Sequence, residues 1–532
     1  MTTQRNLSLS FPGWDARQQK ATTVELTPDE ILSVAAQLHA AAYAPAENDT
    51  SEGHDERQDT QQPLDKLVYR GGGGLRDGGR GSHSSSLIAR LKRQSDATRV
   101  RSFDPLQVRS PGDPILMHVR GPRRPRLRWA AIVLEEDKAK ATEALAPLCA
   151  LRKEQQLAMS SAPSTGHPDG LIVMSRPRSS DPERWAARIS EAAGAPLPDY
   201  LLFVGGPDRF PFDVQALLDI SKMTGRLDFD GEGDSYWAHC STYAQKAVRF
   251  EKGQCLVEPT ALFYGFGIDS ATAASRQDLI GRLLQYVKSE AFPSIDGRTL
   301  LPPTELLDKQ ATSAALRSAL QAKRPALVFT ASHGLEYPQS TSQWGALTDT
   351  SFVGSTGDDP LTAATIPDAA FAEGSVIVSF ACFSAGVPRR SAIRYLFSGE
   401  DVDIAGAPFV SPLPKRLLGH PRGPVAFLGH VDRATSDSFA MLAGESVPAS
   451  FASFCEDTLG GFGTLGEAMA KFRTQTGEAR EALIRSFPAF DGRPSLTSAE
   501  EKVRRWIRYF DAQGYLLLGD PALSIGNASL LR

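Results

Sequence analysis

Two residues with reactive side chains stand at the ends of two separate apolar runs. The first run reads Pro-Ala-Leu-Val-Phe-Thr-Ala-Ser-His-Gly and ends at His333 and Gly334. The second reads Gly-Ser-Val-Ile-Val-Ser-Phe-Ala-Cys and ends at Cys382. A cysteine thiolate is a nucleophile, and a nearby imidazole is a common partner for its proton. The pair therefore predicts covalent catalysis in which Cys382 attacks and His333 transfers protons.

Each of these residues also has a structural interpretation. A single cysteine in an apolar run is often a small buried hydrophobe, and a histidine at a strand end is often structural. The small residues Phe-Ser-Ala-Gly after Cys382 are typical of a strand that leaves the sheet. Gly334 has no side chain to shield its N–H, which could then donate to a developing oxyanion. None of the other four cysteines or eight histidines has a comparable setting.

The two runs also indicate the elements that must position the pair. Both are rich in β-branched and aromatic residues without alternation, which is typical of strands buried on both faces of a parallel sheet. From about residue 110 strands and helices alternate, which predicts an α/β fold: a three-layer sandwich with a mostly parallel sheet and helices on both faces. Ligands bind beyond the carboxyl ends of such strands. We therefore expect His333 and Cys382 to share one cleft.

Composition excludes several classes of protein. The formal charge of -4 and the pI near 6.2 predict no attraction to nucleic acid or to an anionic membrane. No apolar run reaches the roughly 18 residues of a membrane span, and the N-terminus lacks the pattern of a signal peptide. The five cysteines are odd in number and widely spaced, so we expect no disulfide framework, no metal site and no cofactor. A cytoplasmic location is expected.

Three regions are predicted along the chain. Residues 1–110 form an N-terminal region with one helix and a flexible Gly/Arg/Ser-rich loop at about 48–103, which cannot bury enough apolar surface to order itself. Residues 111–250 form an N-terminal α/β subdomain. Residues 251–532 form the catalytic α/β domain with His333 and Cys382.

Apolar strand, His-Gly, spacer, apolar strand and Ala-Cys is the pattern of the caspase-like cysteine peptidases, and this sequence resembles them over roughly residues 170–525. The 49 residues between His333 and Cys382 are close to the roughly 50 of caspases. Five further stretches resemble the bacterial gingipain-like and CHAT-like branch: Leu202–Pro211, Leu218–Arg226, Phe409–Leu418, Gly429–Ala434 and Leu518–Leu523. The resemblance implies the caspase-like form of the three-layer sandwich.

The resemblance also implies an activity, that of an endopeptidase acting on protein or peptide substrates. Cys382 would be the nucleophile and His333 the acid that protonates the leaving amine. The N–H groups of Gly334 and Cys382 would form the oxyanion hole. No obligatory third catalytic residue is expected, although Glu336 could orient the imidazole. The residues Ser-Phe-Ala before Cys382 differ from the Gln-Ala of caspases, so caspase-like aspartate specificity is not implied.

Cleavage after arginine or lysine is the specificity that the gingipain resemblance implies. The aspartate that binds the substrate guanidinium in those enzymes resembles Asp219, and Asp213 is a second candidate. A carboxylate forms strong bidentate hydrogen bonds with a guanidinium. Either aspartate could instead cap a helix.

Activation by proteolysis is a further hypothesis, based on the basic composition of the 70–101 segment. An enzyme that cuts after basic residues, or an upstream protease, could cleave there; the candidates are Arg70, Arg76, Arg80 and Arg93. The branch resembled implies a bacterial regulatory or antiphage defence cascade. Two alternatives remain open: a catalytically idle caspase-like interaction module, and another cysteine-dependent hydrolase or acyltransferase. The second lacks a Gly-x-Cys-x-Gly elbow in this sequence.

Overall fold

The computed structural model describes most of the chain after residue 127 and three short strands before it. The described residues are 9–15, 20–26, 101–102, 128–159, 170–178, 181–194, 197–255, 257–289, 292, 300–335, 344, 347–348, 361–392, 403–440, 446–484 and 499–525. Arg70, Arg76, Arg80, Arg93 and Glu336 lie outside the described residues, as do residues 28–46, where the one helix of the N-terminal region is predicted.

The strands are numbered in chain order. They are β1 Leu9–Asp15, β2 Lys20–Leu26, β3 Arg101–Ser102, β4 Trp129–Leu134, β5 Leu171–Met174, β6 Tyr200–Val204, β7 Met223–Leu227, β8 Glu258–Gly265, β9 Thr304–Leu307, β10 Pro325–Ala331, β11 His333–Gly334, β12 Leu347–Thr348, β13 Val376–Phe380, β14 Gly386–Val387, β15 Phe409–Val410, β16 Ala426–His430 and β17 Tyr515–Leu518.

The α-helices are numbered in the same way. They are α1 Lys138–Met159, α2 Pro182–Ala193, α3 Phe212–Asp219, α4 Asp234–Glu251, α5 Ser270–Ala274, α6 Arg282–Lys288, α7 Ser313–Ala322, α8 Pro412–Gly419, α9 Ala449–Gly460, α10 Leu465–Ala468, α11 Ala470–Ile484 and α12 Ala499–Gly514. A π-helical turn, Ser275–Gly281, joins α5 to α6.

One ten-stranded sheet runs through the molecule in the order β5-β4-β6-β7-β17-β16-β13-β10-β8-β9. All neighbouring pairs in it are parallel except β16 and β17, which are antiparallel. The strands on the two sides of that pair therefore point in opposite directions. The carboxyl ends of β8, β10, β13 and β16 share one edge of the sheet, where the predicted cleft should lie.

Helices cover both faces of the sheet. In β4, alternate residues point to opposite sides: Ala131 and Val133 pack in one buried cluster with residues of α1 and α4, whereas Ala130 and Ile132 pack in another with α2 and α3. All six residues of β4 are buried, as a strand covered on both faces requires. The predicted α/β three-layer sandwich with a mostly parallel sheet is confirmed.

Buried charges join the first and second halves of the chain. Arg152 of α1 is almost fully buried, and its guanidinium contacts Glu251 at 2.6 Å and Asp520 at 2.6 Å. Asp520 also accepts a hydrogen bond from the indole N–H of Trp129. Breaking one partner of such a buried pair leaves an uncompensated charge. Asp520 belongs to the Leu-Gly-Asp-Pro stretch at the end of β17, which the sequence analysis singled out by resemblance alone. Its contacts with Arg152 and Trp129 give this aspartate a structural role.

Several elements were absent from the sequence-based prediction, among them α1, α3, β7, β9 and the β1–β2 hairpin. The predicted domain boundary at residue 250 stays a prediction. Strands from both sides of that residue belong to one continuous sheet. Among the described residues, no helix combines the length and apolar character needed to cross a membrane.

Candidate active site

The site is built from the turns that follow three strands at the same edge of the sheet. β10 and β13 are parallel neighbours, with Ala331 opposite Phe380 at their ends, and the N–H of Ser332 donates to the Phe380 carbonyl at 3.1 Å. His333 follows the first strand and Cys382 the second. The common register therefore brings the two residues to the same level of the edge.

Gly334 packs directly against the Cys382 backbone. A Cβ atom placed on Gly334 would lie 1.8 Å from the Cys382 carbonyl oxygen and 2.8 Å from the Cys382 nitrogen. Contacts under 3.0 Å essentially never occur for a real Cβ, so only glycine permits this approach. The His-Gly turn and the cysteine turn are thus in van der Waals contact, as a single site requires.

The imidazole of His333 is held by a carboxylate from a third strand end. Its Nε2 lies 2.7 Å from Oδ2 of Asp269, in the turn between β8 and α5. Since a carboxylate only accepts, Nε2 carries the proton and donates it to this bond. Asp269 is in turn fixed by Thr272, whose backbone N–H and hydroxyl both donate to Oδ1 at 2.9 and 2.8 Å.

The electrostatics of Asp269 favour its ionised form. Partial burial alone would raise the pKa of this carboxyl. The hydrogen bond from His333 and those from Thr272 outweigh that effect and hold the pKa well below its usual range. Asp269 is therefore a permanent anion near neutral pH and can both orient the His333 ring and stabilise it when it gains a second proton.

The chain turns sharply immediately after Cys382. Phe383 has φ of +58°, a left-handed conformation that costs a non-glycine residue on the order of 1–3 kcal/mol. Two contacts hold it there: its N–H donates to the Asp432 carbonyl at 2.8 Å, and its ring packs edge-on against Trp344. Strained residues of this kind concentrate at active sites, where the surrounding structure fixes them.

Cys382 and His333 are both closed off from solvent. Cys382 is 0% exposed and His333 is 1% exposed. The thiol of Cys382 donates a long hydrogen bond to the carbonyl of Ala434, with an S···O distance of 3.9 Å. A peptide cannot reach the sulfur in this arrangement, so the described state is a closed one.

One other buried histidine at this edge of the sheet, His430, forms hydrogen bonds with backbone groups. His430, at the end of β16, contacts the Asp511 carbonyl through Nε2 at 3.0 Å and accepts from the Asp432 N–H through Nδ1. Burial lowers the pKa of His430. A Cβ on Gly514 would overlap its ring, which fixes the ring position. His430 is thus fully used in structure.

Asp219 and Asp213, the residues predicted to set specificity, lie apart from His333 and Cys382. Asp219 ends α3, and its Oδ1 accepts from the N–H and hydroxyl of Thr224 at 3.0 and 2.9 Å. β7, which starts beside it, is three strands from β13, or about 14 Å at the usual strand spacing. Asp213 is exposed in the first turn of α3, where the helix dipole stabilises a negative charge. Their role in substrate binding stays a prediction.

Two carboxylates that the sequence analysis missed lie closer. Asp269 contacts His333. Asp432 follows β16, and its backbone carbonyl accepts a hydrogen bond from the N–H of Phe383 in the turn after Cys382. The signal for Asp269 was present: Gly-Ile-Asp-Ser-Ala-Thr follows the apolar run of β8, so an acidic residue stands just after a buried strand, as His333 and Cys382 do. Among the described residues, no group of three His, Cys, Asp or Glu could hold a metal.

Comparisons with known proteins give limited similarity. No family model matches the chain, and no curated protein matches it. A solved structure described as a protease aligns at 13% identity with a TM-score of 0.44, covering 75% of this chain and 78% of its own. Separase of Saccharomyces cerevisiae, solved with securin, aligns at 11% identity with a TM-score of 0.28, covering 64% of this chain and 17% of its own. The observed α/β architecture is consistent with the caspase-like fold that the sequence predicts.

Proposed function

We propose that this chain is a cysteine endopeptidase in which Cys382 is the nucleophile and His333 the acid–base residue. The observation that carries the proposal is the contact of Gly334 with the Cys382 backbone, because it joins the two predicted catalytic turns into one site. The hydrogen bond from His333 to Asp269 adds the third group that orients an imidazole in many such sites.

The proposed reaction begins with transfer of the Cys382 proton to His333. The thiolate attacks the peptide carbonyl carbon, and the N–H groups of Gly334 and Cys382 receive the oxyanion. Because Nε2 of His333 is engaged by Asp269, proton exchange falls to Nδ1, which protonates the leaving amine as the C–N bond breaks. Water then attacks the thioester, its proton passes to His333, and the thiolate is released with the acid product.

Activation is proposed because the dyad is closed. Access to Cys382 requires movement of the turns around Phe383 and Ala434, both of which contact it or its neighbours. We propose that cleavage in the 70–101 segment, at Arg70, Arg76, Arg80 or Arg93, by the enzyme itself or by an upstream protease, permits that movement. A bacterial regulatory or defence cascade in the cytoplasm would supply the signal.

A preference for arginine or lysine before the scissile bond is also proposed. Asp432 supports it, because this buried carboxylate lies beside the turn that follows Cys382. Its oxygens accept hydrogen bonds from the Ser391 hydroxyl and from the backbone N–H groups of Ala392 and Arg433. A substrate guanidinium could replace these neutral donors. Loss of the preference in Asp219→Asn but not in Asp432→Asn would assign the role to Asp219, as the sequence predicts.

The test is hydrolysis of fluorogenic peptides that differ only in the residue before the scissile bond. The full chain is assayed before and after limited cleavage by trypsin, which is inactivated by a serine-protease inhibitor before the peptides are added, beside Cys382→Ala treated identically. We expect release of fluorophore after Arg or Lys by the wild type, falling by about 10³-fold or more in Cys382→Ala. Equal rates in the two proteins would contradict the proposal and favour an idle interaction module.

A further inference from the structure

Four large apolar side chains are notably exposed among the described residues: Leu157, Ile268, Leu301 and Phe462. Single exposed hydrophobic residues are normal on protein surfaces and carry no meaning by themselves. Position separates one of them from the rest. Ile268, which is 65% exposed, directly precedes Asp269, whose carboxylate contacts His333. Leu301 bonds Pro259 at the opposite end of β8, away from the dyad.

Ile268 is also held in place by the network that fixes Asp269. Its N–H donates to the hydroxyl of Thr272 at 3.0 Å, and Thr272 is fully buried. On its other side, Gly267 packs closely on α5, because a Cβ there would lie 3.3 Å from Ala273. The isoleucine side chain is therefore presented to solvent on a rigid turn. A rigid apolar contact loses little conformational entropy when it binds a ligand.

The order of the strands places Ile268 along the path of a bound peptide. A peptide that reaches both Cys382 and His333 lies across β13 and β10, and β8 is the next strand at that edge. Two strand spacings span about 10 Å. Two extended residues span about 7 Å, and the remaining roughly 3 Å is within one apolar side-chain contact of about 4 Å, so a side chain two residues from the scissile bond reaches the turn after β8.

From this geometry we propose that Ile268 is a specificity-determining residue that contacts an apolar side chain of the substrate within two residues of the cleaved bond. The inference rests on the proposed peptidase function and adds a substrate preference to it. The substrate class is then a polypeptide in which a large apolar residue stands near the cleaved bond. One apolar contact of this kind typically changes kcat/KM by about 10-fold or more.

The test uses pairs of peptides that carry leucine or serine at one of the two positions on either side of the scissile bond. The measured quantity is the ratio of kcat/KM for the leucine peptide to that for the serine peptide. We expect a ratio of about 10 at one position in the wild type, about 1 in Ile268→Ser, and a ratio near the wild-type value in Ile268→Leu. Leu157→Ser is the matched control, since it removes an equally exposed side chain from α1.

An unchanged ratio in Ile268→Ser, with the variant folded by circular dichroism, would overturn the inference. So would a ratio near 1 at every position in the wild type. In both cases peptides are still cleaved in a manner that depends on Cys382, so the peptidase function would stand. If the wild type cleaves no peptide faster than Cys382→Ala, the peptidase function fails and the inference fails with it.

Discussion

The carboxyl ends of the strands carry polar side chains in both halves of the main sheet, but their partners differ. At β7, in the first half, the guanidinium of Arg226 is fully buried and donates to the carbonyls of Gly205 and Phe210 and to Gln215. All of these acceptors belong to the neighbouring strand end and its helix. At the opposite edge, Asp269, His333 and Cys382 come from the ends of three different strands of the second half.

The polar groups at the two edges have different roles. Arg226 at the end of β7 stabilises local structure, whereas Asp269, His333 and Cys382 are the residues proposed to carry out the chemistry. At the end of β7, Arg226 is satisfied by the preceding βα unit and fixes the local conformation. In the second half, groups from separate units contact one another, and one of them, Cys382, is the proposed nucleophile. The same architecture supports both arrangements, so the proposed activity depends on the residues at the strand ends and not on the sheet alone. Variants at the two edges should therefore have different effects.

The largest effect is expected from Gly334→Ala, which tests whether the second-half edge is one site. The new Cβ would overlap the Cys382 carbonyl and must displace one turn by more than 1 Å. A shift of that size typically costs about 10²-fold in rate, so we expect at least that loss of peptide hydrolysis. Gly406→Ala is the control, because no atom lies within 4 Å of a Cβ there. Equal activity of the two variants would show that the turns are not coupled.

Asp269→Asn tests the contact between two strand ends directly. The amide keeps the shape of the carboxylate but removes the charge that stabilises a protonated His333, so kcat should fall by about 10-fold or more while KM changes little. Asp308→Asn is the matched control, since Asp308 ends β9 at the same edge but pairs with Arg276. A loss of the same size in both variants would indicate a general effect of charge on this edge.

Arg152→Met tests the structural use of charge at the junction of the halves. It leaves Asp520 and Glu251 buried without their cation, so unfolding in urea should show a loss of about 3–5 kcal/mol. Activity per folded molecule should remain. Arg128→Met, which breaks a partly exposed pair with Asp199, should cost about 1 kcal/mol or less. A strong loss of activity in stably folded Arg152→Met would contradict the separation of structure from chemistry.

The last prediction concerns the pH dependence of stability at a buried carboxylate near the site. Burial and the neighbouring Asp511 raise the pKa of Asp437 to about 7, against the opposing charges of Arg508 and Arg504. The folded state therefore holds this proton more tightly than the unfolded state. Its contribution to stability is full below about pH 4 and is lost as pH rises to about 7.

Asp437→Asn should consequently stabilise the folded protein more at pH 8 than at pH 5, by a free energy on the order of 1 kcal/mol for each pKa unit of difference, which is measured as a larger rise in melting temperature at pH 8. Asp368→Asn, which changes a fully exposed carboxylate, is the control. An Asp437→Asn effect of equal size at both pH values would show that the carboxyl titrates normally in the folded protein.

The positions of His333 and Cys382 were predictable because apolar runs without alternation mark buried parallel strands, and reactive residues stood at their ends. The same rule could have found Asp269, but an aspartate before a helix is usually a cap, and Asp269 is also that. The closeness of Gly334 to Cys382 depends on strand register, which a single sequence does not reveal. Asp219 was favoured by local resemblance. The reversal of strand direction between β16 and β17 places the start of β7, and with it Asp219, at the same edge as His333 and Cys382, but the strand order, which a single sequence does not reveal, separates β7 from β13 by three strand spacings.

The central claim, that His333 activates Cys382 within one site, is tested most directly by covalent labelling. The full chain, after limited trypsin cleavage, is treated with a peptidyl chloromethyl ketone ending in arginine, and the adducts on its five cysteines are mapped by mass spectrometry. We predict an adduct on Cys382 that is lost in His333→Ala and in protein unfolded by urea. Labelling of Cys382 at the same rate in wild type and His333→Ala, or adducts only on other cysteines, would contradict the claim.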